Sequence, residues 1–383
     1  MEFELSEEQR GIQALTRELA EAEIAPYAGE WARAHHFPAE LYAKLADLGL
    51  LGVCVPEELG GAGADFLSYV LVLEELSRAD AGVGVTVAVH TSAVTLPILR
   101  WGTEEQQAAF VPPLARGEKL GAFALTEAGA GSDPASLRTR AERDGDGWRL
   151  SGAKQWTTNG SHAQTFVVFA RMEAGISCFI ADGGSPGLTV SREPEKLGLA
   201  SSSTPDLVLD GVPVSRDRLL GPEGKGLSIA LATLDGGRIG IAAQAVGIAQ
   251  AAYDAARAYA LEREQFGKRI AEFQAVQWKL ADMATEIDAA RLLTHRAAWL
   301  RDRGEPHAEA GAKAKLFASG VARRQTGEAI QILGGYGFMT EFPVERYYRD
   351  AKVTEIYEGT SEIQRLVIAR SILGLEVARE GTG

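Results

Sequence analysis

Residues 227–263 read LSIALATLDGGRIGIAAQAVGIAQAAYDAARAYALER. Apolar residues and alanine recur there at helical spacing, which predicts one long helix. Gln274–Arg301, Ala308–Leu333 and Glu362–Leu373 carry the same pattern. Short breaks marked by Gly or Pro separate these stretches, so the four read as a four-helix bundle. Upstream, between Leu120 and Leu227, segments are short, β-prone and punctuated by turns. Thr165–Arg171, Ile176–Ala181, Leu188–Val190 and Leu207–Leu209 are strand candidates. Asp144-Gly145-Asp146-Gly147 marks a tight turn between Arg138–Arg143 and Trp148–Ser151. No long helical pattern lies between these strands, which disfavours a doubly wound parallel sheet and predicts an antiparallel β-domain.

The start of the chain is helical again. Ser6-Glu7-Glu8-Gln9 is a capping box, followed by Ile12, Leu15, Leu19 and Ile24 at helical spacing. Phe37-Pro38 opens a second helix with Leu41, Leu45 and Leu48, closed by Gly49, and Val70, Leu73 and Leu76 mark a third. Thr103-Glu104-Glu105-Gln106 is another capping box, and Pro112-Pro113 is expected to break the helix it opens. The predicted class is α+β in the order α, β, α: an N-terminal helical domain (1–119), a middle antiparallel β-domain (120–226) and a C-terminal four-helix bundle (227–383).

With 383 residues, the chain has room for two or three domains. Lys and Arg number 39 against 52 Asp and Glu, a formal charge of −13, which argues against a general nucleic-acid binder. Cys54 and Cys178 are too few for a disulfide framework or a cysteine-rich zinc site, and point to a reducing compartment. The six histidines show no metal-ligand spacing, so no metal is expected. The acidic N-terminus does not read as a signal peptide and no run of about 18 apolar residues appears. The expectation is a cytoplasmic protein, of bacterial origin, with no membrane span. Asn159 is the only asparagine. Heat adaptation and a G+C-rich genome explain that depletion equally well.

Neither a Walker A box nor a Rossmann GxGxxG is present. Four other stretches could carry chemistry. In Leu125-Thr126-Glu127-Ala128-Gly129-Ala130-Gly131-Ser132-Asp133, glycines let backbone N–H groups converge and two hydroxyls assist; a plain surface turn would read the same. In Lys154-Gln155-Trp156-Thr157-Thr158-Asn159-Gly160, Trp156 and Thr158 would face the same way in a strand, covering and bonding a planar ligand; a core Trp is the alternative. Gln331-Ile332-Leu333-Gly334-Gly335-Tyr336-Gly337 closes a helix with more glycines than a C-cap needs. Tyr357-Glu358-Gly359-Thr360-Ser361-Glu362-Ile363-Gln364 places a carboxylate before a helix start, with Ser361 and Gln364 expected to form a capping box. Glu358 could equally be a solvated loop residue. Arg238 and Arg263 are candidate phosphate clamps, or surface charges.

Taken together these motifs resemble the acyl-CoA dehydrogenase family, through essentially the whole chain and in the family's order. The resemblance implies an N-terminal α-domain, a middle β-domain and a C-terminal four-helix bundle, assembled as a homotetramer, with bound FAD and an acyl-CoA substrate. The implied reaction is oxidation of Cα–Cβ to a trans-2-enoyl-CoA, Glu358 taking the α-proton while a β-hydride goes to flavin N5. The donors at the thioester oxygen would be the backbone N–H of the base and a ribityl hydroxyl. Trp156 and Thr158 resemble the flavin-stacking aromatic and the hydroxyl near N5, with Thr157 between them. Phe123, Leu125, Thr126, Gly131 and Ser132 match the cofactor-facing first motif, Ser132 also facing substrate. Arg263, Phe266 and Gln274 look like contacts to FAD of a neighbouring subunit, and Gln331, Gly334 and Gly335 like a loop at a partner's dinucleotide. Thr360 and Glu362 follow the base onto the cofactor side. Asp235, Arg238 and Gly359 are similar to substrate-side residues. Ala128 stands where the family commonly has proline. Isovaleryl- and long-chain-type branches place the base near Arg238, but Gly236 and Gly237 there cannot act as one. The last third reads most like short-chain and short-branched-chain members, which implies a butyryl-CoA-like preference and an electron-transfer flavoprotein as acceptor. An acyl-CoA oxidase or flavin monooxygenase relative, and a non-catalytic helical scaffold, are the competing readings.

Overall fold

The computed structural model describes residues 4–375; Met1–Phe3 and the final stretch 376–383 of the expected C-terminal domain lie outside the described residues. Helices α1 (Glu7–Leu19), α2 (Ala28–Ala34), α3 (Ala39–Asp47), α4 (Phe66–Ala79), α5 (Ala81–Ala88), α6 (Leu96–Trp101) and α7 (Glu104–Ala115) come first. Both capping boxes are present: Ser6 with Gln9, and Thr103 with Gln106. Pro112 and Pro113 lie inside α7 and do not end it.

The sequence reading missed the segment from α5 through a π-helical stretch (Val89–Thr95) to α6. Ala81–Trp101 is long and apolar enough to cross a membrane, contrary to the expectation from composition, but it is buried against α4, α8 and the sheet. It is therefore a core helix. His90 within it accepts from Gly121 N–H at Nδ1 (3.1 Å), so Nε2 carries the proton and donates to Leu114 O (3.1 Å). Burial pushes this imidazole down to about 4, which keeps it neutral.

Strands β1 (Gly121–Ala124), β2 (Arg140–Asp144), β3 (Gly147–Lys154), β4 (Thr165–Met172), β5 (Gly175–Asp182), β6 (Leu188–Val190), β7 (Leu207–Val214) and β8 (Leu219–Leu220) form one sheet. Its order is β6-β7-β3-β2-β4-β5-β8, with β1 beside β4. Hairpin β2–β3 turns at Gly145-Asp146, as the sequence predicts. The sheet is mixed rather than antiparallel. β1 pairs parallel to the first half of β4, and β2 meets the far end of β4 parallel at Arg140–Arg171. The hairpin between β1 and β4 returns the chain to the same direction, which periodicity alone does not reveal.

The second helical set is α8 (Gly226–Glu262), α9 (Gln274–Asp302), α10 (Ala308–Leu333), α11 (Val344–Ala351) and α12 (Ser361–Ile372). A two-residue strand pair, β9 (Glu264–Gln265) and β10 (Lys268–Arg269), separates α8 from α9. Helix α11 had no counterpart in the sequence reading. Small residues let α8 and α10 pack closely, with Ala242, Ala245, Ala249, Ala314, Ala318 and Ala322 all buried in one core shared with α4 and α5. One face of the sheet packs in a second cluster, where Phe123 and Leu125 meet Val94, Ile229 and Leu234. Leu234 directly precedes Asp235, so the sheet and α8 adjoin at the candidate residues.

Candidate active site

The chain reaches Glu358 from a short 3₁₀ turn (Lys352–Glu355) and leaves it into α12. Glu358 and Gly359 both have positive φ, 52° and 90°. A left-handed Glu is uncommon and strained, so neighbouring contacts must hold it there. Thr360, not Ser361, is the N-cap of α12, its hydroxyl accepting from Ile363 N–H (3.4 Å). Gln364 is thereby freed from capping. Its buried amide instead donates to Gly359 O (2.8 Å) and Glu358 O (3.3 Å). Tyr357 donates to Gln244 Oε1 on α8, and Gln244 donates onward to Ala81 O (2.8 Å).

The Glu358 side chain lies against α8 at Gly237. A Cβ at position 237 would sit 1.9 Å from Glu358 Oε2, so only glycine leaves room for the carboxylate. Oε2 is buried and has no hydrogen-bond partner. Burial pushes this carboxyl up to about 7, against the pull of Lys315 and Arg238. Arg238 is itself buried and pairs with Asp235 (2.5 Å). Burial raises the Asp235 carboxyl, opposed by Arg238, His307 and Arg100. Glu358, Gly359, Asp235 and Arg238 thus form one group.

Phe123 to Ser132 and Trp156 to Thr158 form a second group. Gln155 N–H donates to Thr126 O (2.9 Å), and the fully buried Lys154 donates to Leu125 O (3.1 Å) and Glu127 Oε1 (2.8 Å). Glu127 also accepts from the N–H groups of Arg138 (2.6 Å) and Thr139 (2.9 Å). Trp156 does not lie in a strand: β3 ends at Lys154, and Trp156 turns left-handed (φ 55°). The expected same-face geometry with Thr158 therefore does not apply. Trp156 is 62 % exposed, and the buried Thr157 hydroxyl has no partner. Nothing lies within 4 Å of a Cβ built on Gly129 or Gly131. An open glycine turn, an uncovered aromatic face and an orphaned hydroxyl fit a flat, polar-edged cofactor.

A third group stands apart. Arg263 ends α8 and lies over the Tyr336 ring (5.7 Å), lining a groove of about 430 Å³ with Tyr259, Gly334 and Gly335. Phe266 is 95 % exposed, and Gln274 and Gln331 are exposed. Among the described residues no hydrogen bond or ion pair joins these to the other two groups. Thr360 and Glu362 sit at the start of α12, the first as cap and the second exposed in the first turn.

Sequence reasoning gave no role to Glu127, Lys154, Gln244, Lys315 or the space at Gly237. Lys315 and Gln244 did carry a signal: each is a polar residue inside an alanine-rich helical run.

Three helical–sheet–helical segments with a carboxylate turned onto a glycine of the long helix define a class. The chain belongs to the acyl-CoA dehydrogenase family, matching its N-terminal domain over residues 6–118, its middle domain over 122–212 and its C-terminal domain over 224–373. It is 48 % identical over 375 residues to the short-chain specific mitochondrial acyl-CoA dehydrogenase of Bos taurus, covering 97 % of this chain and 91 % of that one. The solved butyryl-CoA dehydrogenase of Megasphaera elsdenii superposes with a TM-score of 0.96 at 43 % identity, covering 97 % of this chain and all of that one. An acyl-CoA dehydrogenase of Bacillus anthracis solved in complex with FAD gives 0.93 at 37 % identity, covering 97 % of this chain and 67 % of that one.

Proposed function

We infer that the chain dehydrogenates a short-chain acyl-CoA to the trans-2-enoyl-CoA, with Glu358 as the base that removes the α-proton. The observation that carries this is the buried, unpartnered Oε2 of Glu358 lodged against Gly237. An α-C–H of a thioester is a very weak acid and an ordinary Glu is a weak base. Withdrawing the carboxylate from water raises its basicity to near neutrality, where a general base works best. Asp235 and Arg238 line the substrate side beside Gly359. The Glu358 N–H is a donor to the thioester oxygen as charge develops there. FAD, when bound, supplies the acceptor for the β-hydrogen and its electron pair. Phe123, Leu125, Thr126, Gly131, Ser132, Trp156, Thr157 and Thr158 would hold it, Ser132 reaching the substrate as well. Arg263, Phe266, Gln274, Gln331, Gly334 and Gly335 serve the cofactor of a partner subunit in a homotetramer, which explains why they stand apart within one chain. Thr360 and Glu362 complete the cofactor side. This reading keeps the division of the chain at 119/120 and 226/227, and takes an electron-transfer flavoprotein as the electron acceptor.

The test is anaerobic bleaching of the flavin by butyryl-CoA. Glu358→Gln is expected to retain FAD and thioester binding and to lose about 10³-fold in bleaching rate. Bleaching near the parent rate would remove Glu358 from the base role. Rapid oxygen uptake during turnover would replace the dehydrogenase with an oxidase, and a colourless purified protein would leave only the scaffold reading.

A further inference from the structure

Lys315 lies in the third turn of α10 and is 1 % exposed. An ammonium taken out of water is strongly unfavourable unless a carboxylate accompanies it. Among the described residues no carboxylate forms an ion pair with Lys315. Its Nζ donates instead to two backbone carbonyls, Thr354 O (2.9 Å) and Gly359 O (2.7 Å). Those carbonyls flank Glu358 on either side. Ser319, one turn further along α10, also donates to Thr354 O (2.9 Å). The α10 residues buried around Lys315 are small, with Gly311, Ala312, Ala314 and Ala318 among them. Methionine would fill the Lys315 position without desolvating a charge, so packing does not account for a lysine here.

The charges around Glu358 show what the ammonium acts on. Arg238 on α8 also pulls on Glu358, but it already has a carboxylate partner in Asp235. The phenols of Tyr69 on α4 and of the adjacent Tyr357 are driven well above their ordinary value by burial, and so are neutral. Glu355, which also attracts Lys315, is paired to Arg323 and Lys352. Lys315 is thus the one buried cation facing Glu358 that no carboxylate already satisfies, among the described residues.

We propose that Lys315 is a positioning residue for the dehydrogenation. Its ammonium clamps the Thr354 and Gly359 carbonyls, holds the left-handed Glu358 turn against Gly237, and supplies the positive charge that keeps the buried carboxylate ionised. The proposal rests on Glu358 being the base. The mutual attraction of the two groups fits it: burial presses the Lys315 ammonium down to about 8, and Glu358 opposes that fall. A merely structural lysine would fix the turn without changing the titration of Glu358.

The experiment follows the protonated Glu358 carboxyl through its infrared C=O band in the FAD-loaded protein, the band being assigned by its loss in Glu358→Gln. Lys315→Gln keeps amide donors for the two carbonyls and removes the charge. It is expected to raise the Glu358 midpoint by about one pH unit and to slow butyryl-CoA bleaching at neutral pH about tenfold, with FAD content and thioester affinity unchanged. Lys315→Arg, which keeps the charge, is expected to hold the midpoint. An unmoved midpoint in Lys315→Gln overturns the proposal. By reciprocity the same coupling reads from the other side. Glu358→Gln should lower the Lys315 ammonium midpoint by a similar amount, followed by the nitrogen NMR shift of Nζ. That arm does not require Lys315→Gln to fold, and equal midpoints there are equally fatal. Fast bleaching by Glu358→Gln would instead defeat the base assignment itself, whatever the lysine does.

Discussion

Glu127 and Glu358 each stand near a buried lysine, and their surroundings bring them to opposite ends of the carboxylate range. At the glycine-rich turn, Lys154 bonds the Glu127 carboxylate directly and two backbone N–H groups complete its shell. Burial alone would raise that carboxyl, but these bonds outweigh it and hold the group down at about 2. At the α12 turn, Lys315 bonds the backbone around Glu358 and leaves Oε2 bare, so burial prevails and the carboxyl rises to about 7. A lysine aimed at a carboxylate makes a strut; aimed one peptide away, it leaves a base. Residue type does not separate the two cases, whereas the atom that receives the ammonium does.

The largest expected effect breaks the second arrangement alone. Gly237→Ala would put a methyl where Oε2 lies. Displacing the carboxylate by about 1 Å should cost about 10²-fold in flavin bleaching, while FAD content and melting temperature stay near the parent's. Stopped-flow rates beside thermal melts check this, and an unaltered rate would show that the carboxylate has another place to go. Lys154→Met breaks the first arrangement instead. It leaves Glu127 buried without its cation, so about 3 kcal/mol of stability should be lost, and the loosened turn should release FAD. Denaturant titration and flavin content after gel filtration measure both.

A smaller effect sharpens the contrast through its sign. Glu358 has a raised carboxyl, so the folded chain holds a proton that the unfolded chain releases between the ordinary value of 4.5 and about 7. Its contribution to stability is fullest below 4.5 and declines as pH rises through that window. Glu127 has a depressed carboxyl, so its contribution is present above 4.5 and is lost as pH falls toward about 2. Melting temperatures of the parent relative to Glu358→Gln should therefore fall with rising pH, and those relative to Glu127→Gln should fall with acidification. Identical trends in the two pairs would erase the difference. The least effect is expected at the outlying groove. Arg263→Ala should weaken FAD retention and the assembly together, and unchanged flavin content would take Arg263 off the cofactor surface.

Much of the fold was legible because its long helices bury alanine and apolar residues at a regular period, as in α8 and α10. Helix α5 and the π-helical stretch that follows it were not, because a segment buried on every side has no polar face to set a period. The parallel pairing of β1 with β4 is a long-range choice that local patterning does not encode. At the site, Glu358 was legible from its motif, but its partners were not. Gly237 reads as a residue unable to act as a base, yet its missing side chain is what admits the carboxylate. Gln364 reads as a cap because Ser361 precedes it at the right spacing, and the shift of the cap to Thr360 turns that amide toward the backbone of the base. Lys315 lies 43 positions before Glu358, and only folding shows that its ammonium reaches the next peptide.

The lone asparagine has a consequence for how the protein ages. Asn159 is buried, left-handed at φ 70°, and donates from Nδ2 to Thr86 O (3.1 Å) and Gly121 O (2.9 Å). The Gly160 nitrogen that would have to attack its side chain is engaged with Thr157 O (2.9 Å). Deamidation of this Asn-Gly bond therefore waits until the loop behind Trp156 opens. With no second asparagine in the chain, amide loss mapped to the Asn159 peptide of a stored or heated sample becomes a single-position record of how often that loop has come undone.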